Sequence, residues 1–122
     1  MKKIIISVLA ILISCSVYSQ QSGPVIKFDN NVYDFGTIKE EEGKVSHTFY
    51  FTNVGDDTLL LKRVKPGCGC TSSNWTKDGV VPGGQGFISA TFDPRHRKGD
   101  FTKGISITTN ELKSPNRALI IK

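Results

Sequence analysis

The clearest pattern along the chain is alternation. In the run Val45–Thr52, Val45, Phe49 and Phe51 share one side with His47, and polar or exposed-type residues take the other, the two-residue period of a half-buried strand. Phe87–Phe92 repeats it, with Ile88, Ala90 and Phe92 on one face as candidate core. Shorter β-rich runs lie at Val25–Phe28 and Val32–Phe35, parted by Asp29-Asn30-Asn31, with Gly36 permitting a bend. Thr58–Lys65 is β-type until Pro66 and Gly67 interrupt it and a loop begins. Phe101, Ile105 and Ile107 mark a further strand, with Gly104 as a bulge or close backbone approach, and Arg117–Ile121 forms the last.

Turn chemistry separates these runs. Glu40-Glu41-Glu42-Gly43, Asn53-Val54-Gly55-Asp56-Asp57 and Val80–Gln85 read as turns, Asp93–Asp100 as a polar excursion, and the stretch around Trp75 as irregular. No segment carries a sustained helical apolar face, and there is no internal repeat. Six to eight strand segments with turns between them predict an all-β, immunoglobulin-like β-sandwich of about seven strands. Its two sheets are antiparallel or mixed, each burying one face against the other.

The N-terminus follows another rule. Met1-Lys2-Lys3 precedes the apolar run Ile4–Ile13, too short for a spanning helix of about 20 residues, and Val17-Tyr18-Ser19 offers a cleavage site. Residues 1–19 therefore read as a signal peptide, 20–24 as a short leader and 25–122 as one domain. Leu12-Ile13-Ser14-Cys15 supports an alternative, a lipoprotein signal whose Cys15 is acylated. Either route implies a periplasmic or secreted protein, or an outer-membrane lipoprotein held to the membrane through Cys15 alone. Both place the remaining cysteines in an oxidising compartment.

Length and charge then narrow the function. Removing nineteen residues from 122 leaves 103, one ordinary domain and not a large multidomain enzyme. Without Lys2 and Lys3 the formal charge of +5 falls to +3, too mild to imply nucleic acid. Arg95-His96-Arg97-Lys98 is a basic run without interleaved aromatics, and a solvated charge run accounts for it.

After export the cysteines reduce to Cys68 and Cys70, parted by Gly69. A turn can bring their α-carbons within disulfide range, because glycine tolerates the unusual backbone this needs. The small loop would contribute about 1 to 2 kcal/mol through chain entropy, so stabilisation alone is a thin reason for the pair. Thiol-redox chemistry is a second reading, with Lys65 or a turn amide favouring the thiolate. Soft-metal ligation is a third, with His47 and His96 as the two imidazole candidates for zinc or monovalent copper. His47 reads better as a packed strand histidine, and Trp75 as a packing residue. Thr71, Ser72 and Ser73 lack the base and acid that a hydrolase needs.

Tyr33-Asp34-Phe35-Gly36-Thr37-Ile38, His47 to Gly55, Gly67-Cys68-Gly69-Cys70-Thr71, Pro82-Gly83-Gly84, Phe92-Asp93-Pro94 and Gly99-Asp100-Phe101 leading to Thr109-Asn110 together resemble the bacterial domain-of-unknown-function family 1573. The resemblance spans about Val25 to Lys122. It implies an immunoglobulin-like sandwich of the Hydin type, commonly secreted or lipid-anchored, and no established reaction. The expectation is thus a non-enzymatic extracytoplasmic structural or protein-interaction module, without cofactor, whose partner is an unknown protein or envelope component. The alternative is a thiol-redox or soft-metal handling accessory protein acting through Cys68 and Cys70.

Overall fold

A computed structural model describes residues 23–122. The expected signal peptide at 1–19, the alternative acylation site Cys15 and the start of the expected leader lie outside the described residues. Eight strands follow in order: β1 (Ile26–Phe28), β2 (Val32–Tyr33), β3 (Val45–Asn53), β4 (Leu61–Pro66), β5 (Thr71–Trp75), β6 (Gln85–Phe92), β7 (Lys103–Thr109) and β8 (Asn116–Ile121). They form two four-stranded sheets, ordered β1-β3-β6-β5 and β2-β8-β7-β4. The first sheet is antiparallel throughout. The second is mixed, because β2 runs parallel to β8.

The alternation in the sequence becomes the core. Phe49, Phe51, Ile88, Ala90 and Phe92 project from the first sheet, and Ile105, Ile107, Leu119 and Ile121 from the second. All nine are at most 1% exposed, so the two inner faces are dry and interlocked. Gly86 makes room for this packing, since a Cβ there would fall on the Phe51 ring. At the edge of the core Phe101 stacks on Phe92, with ring centroids 4.2 Å apart.

Two buried polar devices tie the turns to the sandwich. Asn53, fully buried at the end of β3, donates through Nδ2 to the carbonyls of Asp57 (2.7 Å) and Val80 (2.8 Å), while its Oδ1 accepts from the amides of Val25 and Gly55. Gly55 is required beside it, because any Cβ would strike the backbone between Gly23 and Val25. Glu111 accepts two bonds from the Arg117 guanidinium, one from the Thr109 hydroxyl and one from the Ile26 amide.

Several elements differ from the sequence expectation. Thr71–Trp75, read as a loop running into irregular structure, is strand β5 on the flank of β6. Its apolar signal is weak because Thr71 and Ser73 occupy inward positions. Glu40–Glu42, read as a turn, is one, of the 3-10 kind. The bulge falls between Leu61 and Arg63, and Gly104 is neither a bulge nor a close approach: it pairs in register with Ile120, a Cβ there would meet nothing, and its carbonyl accepts from the Gly67 amide at 2.9 Å as a further rung of the β4–β7 ladder.

Candidate functional site

The residues with reactive side chains are distributed over strand β3, the turn between β4 and β5 and the loop after β6. Cys68 and Cys70 lie in the turn from β4 into β5, and they are joined to each other in a disulfide with their α-carbons 5.4 Å apart. The turn is closed by the Thr71 amide donating to the Cys68 carbonyl (3.3 Å), and the Cys70 amide points at the Cys68 sulfur (3.3 Å). That is the turn amide which would favour a thiolate on Cys68 after reduction. The Thr71 hydroxyl lies 3.8 Å from Cys70 Sγ and 4.0 Å from Cys68 Sγ. Cys70 is 4% exposed and packs in the core, whereas Cys68 is half-buried. An incoming thiolate therefore has better access to Cys68.

The disulfide turn is held against the loop after β6. The Asp93 amide donates to the Cys70 carbonyl at 2.9 Å, extending the β5–β6 ladder by one step. A cavity of about 350 Å³ opens there, lined by Gly69, Cys70, Asp93, Arg95, His96 and Arg97. Asp93 grips Arg95 through a forked pair with Nη2–Oδ2 at 3.0 Å, and this hydrogen bonding holds the Asp93 carboxyl below its ordinary range. His96 is exposed, adopts a positive φ of 61°, and anchors the loop by donating its amide to Glu40 Oε1 at 3.0 Å. A left-handed histidine in a turn is uncommon, and the Glu40 contact helps to hold it.

The four sequence-nominated residues thus divide. His96 shares the cavity with Cys70, while His47 is elsewhere: it lies on β3 opposite Ala90, stacked on Tyr33 at 3.6 Å and edge-on to Phe49. Burial pushes the His47 imidazole below its ordinary value of 6.5. Among the described residues no three His, Cys, Asp or Glu side chains cluster as metal ligands, and the two sulfurs, bonded to one another, present no thiolate. Lys65 is exposed on β4, and Trp75 is part-buried against the core under the Lys77 ammonium. Sequence reasoning missed Asp93 and Glu40 as loop anchors; a turn aspartate two residues before Arg95 was the available signal for the first.

The comparisons agree with this architecture. A family model described as "Protein of unknown function (DUF1573)" matches residues 26–122. A crystal structure of a protein of unknown function from Porphyromonas gingivalis W83 superposes with a TM-score of 0.71 at 21% identity, covering 87% of this chain and 48% of that one. The ASH / PapD-like domain 7 of human CEP192 gives 0.59 at 16% identity, covering 87% of this chain and 93% of that domain. The secreted serine protease VesC from Vibrio cholerae gives 0.57 at 16% identity, over 83% of this chain and 22% of the protease. At such identities the likeness is one of fold. The chain spans about half of the Porphyromonas protein and about a fifth of VesC. No curated protein matches.

Proposed function

The chain belongs to the DUF1573 family, and we propose on that footing that its domain is a non-enzymatic extracytoplasmic module that presents a β-sandwich to a protein or envelope partner. The observation that carries this is the state of the cysteine pair. The two side chains best suited to chemistry are spent on each other, and Cys70 is buried in the core. His47 is likewise committed to packing between Tyr33 and Phe49. A sandwich whose reactive groups are structural acts through its edges and loops. The disulfide fits an oxidising compartment outside the cytoplasm, as does the reading of residues 1–19 as an export signal.

The half-buried Cys68 sustains a second reading, thiol exchange at the disulfide turn, in which an incoming thiolate attacks Cys68 Sγ and Cys70 leaves. One experiment separates the two. Protein purified from the native envelope is weighed intact with and without reduction, and assayed for turnover in insulin disulfide reduction beside the Cys68→Ser/Cys70→Ser variant. The module reading expects a chain starting at Gln20 or at an acylated Cys15, a gain of two hydrogens on reduction, and no turnover above the variant. Turnover that depends on both cysteines overturns it in favour of thiol exchange.

A further inference from the structure

The sandwich has two ends, and their loops expose different chemistry. Gly23–Val25 enter β1 at one of them, where the turns after β3, β5 and β7 gather around Asn53 and Glu111. Exposed Val25, Val54, Leu60, Val81 and Leu112 all belong to this end, each at least 41% exposed and Leu112 75%. The other large apolar residues exposed among the described residues, Val32, Tyr33 and Tyr50, lie on strands. The opposite end holds the disulfide turn and the basic run Arg95–Lys98.

The five are tied together through the backbone beneath them. The Val54 amide donates to the Val25 carbonyl at 2.9 Å, and the Leu60 amide to Asn110 Oδ1 at 2.8 Å, two positions before Leu112. Leu112 lies over Gly23, where a Cβ would stand 3.2 Å from its Cδ1. Val81 follows Val80, whose amide and carbonyl both bond to Leu59 at 2.8 Å. Single exposed aliphatic residues are ordinary, but five at one end, around the point where the chain enters, form a surface that gains by leaving water. The charges of the same loops nearly cancel, exposed Asp56, Asp57 and Asp78 against Lys77 and Lys113. Asp56 and Asp57 also accept from the Gly23 and Thr58 amides.

We propose that this end rests on the lipid surface to which an acylated Cys15 ties the chain, with Val25, Val54, Leu60, Val81 and Leu112 set at the boundary of headgroups and acyl chains. The inference rests on the lipoprotein route of the module reading and names lipid as the envelope component at this end. Chain length sets the geometry. Eight residue steps separate Cys15 from Gly23, a reach of at most about 29 Å when fully extended. The nine residues of β3 make the sandwich about 30 Å long. The far end could meet the bilayer only with the whole link stretched back along the domain, whereas the near end uses almost none of it. Anionic headgroups would draw the Arg95–Lys98 end instead, so the attraction here is apolar. The disulfide turn then faces away from the lipid, open to a protein partner.

Brominated lipid tests it, because bromine on an acyl chain quenches a tryptophan that touches it. The acylated chain, purified from its envelope, is reconstituted in phosphatidylcholine vesicles with and without brominated acyl chains. Three proteins carrying one tryptophan each are compared in a Trp75→Phe background: Val81→Trp, Leu112→Trp and Lys98→Trp, all at exposed positions. The first two should lose at least about half of their fluorescence to bromine and the third less than about a tenth. Because tryptophan itself favours the interface, Val54→Glu/Leu60→Glu is added to Val81→Trp and should abolish its quenching while the anchor keeps the protein on the vesicle. Equal quenching at both ends, quenching of Lys98→Trp alone, or none at either end overturns the proposal. A mature chain that begins at Gln20 also overturns it and leaves the module reading standing.

Discussion

His47 stacks on Tyr33 across the opening between the sheets, and the cost of charging it there is what lowers its pKa. The unfolded chain, with the imidazole near its ordinary 6.5, binds more protons than the folded one between the two values. Stability therefore rises with pH through that window; it is complete above 6.5, declines as pH falls below it, and levels off under the folded pKa. His47→Phe keeps the stacking and removes the proton. In urea titrations at successive pH values the wild type should lose stability from about pH 6.5 downward relative to the variant. Parallel profiles would show that His47 does not carry the effect. Asn53 is the other residue whose removal has a definite sign. All four of its side-chain hydrogen bonds go to backbone groups, so Asn53→Ala strands the Asp57 carbonyl and the Val25 and Gly55 amides and takes one of two donors from the Val80 carbonyl. The expected loss is at least about 2 kcal/mol, read as a fall in Tm on the order of 10 °C.

At the scale of elements, the salt bridge between Glu111 and Arg117 joins β8 to the loop after β7, and through the Ile26 amide to β1. The two ends differ in exposure, 5% for the Glu111 side chain against 37% for that of Arg117. Removing the arginine leaves a buried carboxylate without its counter-ion, while removing the glutamate frees a guanidinium that water can reach. Arg117→Ala should therefore cost more, about 3 kcal/mol, than Glu111→Ala, about 1 to 2 kcal/mol, in denaturant unfolding. The reverse order would mean that the Thr109 hydroxyl and Ile26 amide suffice to hold the carboxylate. The disulfide turn is weaker than its chemistry suggests. Three residues close the loop, so reduction should lower stability by about 1 to 2 kcal/mol and leave the fold cooperative. A Tm unchanged by a phosphine reductant, with reduction verified by mass, would count against that figure.

Legibility in the sequence also sorts by element. Ile88, Ala90 and Phe92 were readable because central strands bury every second side chain, and the same rule found β3, β7 and β8. β5 escaped because an edge strand can place hydroxyls inward: Thr71 is buried and Ser73 half-buried, so period-two hydrophobicity has nothing to detect. The Cys68–Cys70 pair was visible from its spacing and the intervening glycine. Its neighbourhood was not, since the Asp93 amide reaches the Cys70 carbonyl across 23 positions of chain that only the β5–β6 register brings together, and His96 joins the same cavity behind it. Asn53 was read as a turn former, whereas its place at 0% exposure depends on Val25 and Val80 arriving from distant segments.

For the molecule as a whole, nearly every stabilising pairing is remote in sequence. β3 meets β6 with Thr48 opposite Ser89, and β2 meets β8 with Val32 opposite Ile120. Loops of that length must close before burial repays them, so the chain should fold in milliseconds to seconds rather than microseconds. Trp75, on β5 and packed against the core, is the natural fluorescent probe. The cysteine link spans too few residues to shorten any of these long loops. Reduction should therefore leave the refolding rate of stopped-flow experiments within about twofold and appear in the unfolding limb, if β5 docks after the rate-limiting step. A refolding rate that falls with reduction by the full stability loss would place the disulfide turn and β5 inside the folding nucleus. That would make β5, the least hydrophobic of the longer strands, an organiser of the sandwich rather than an edge added to it.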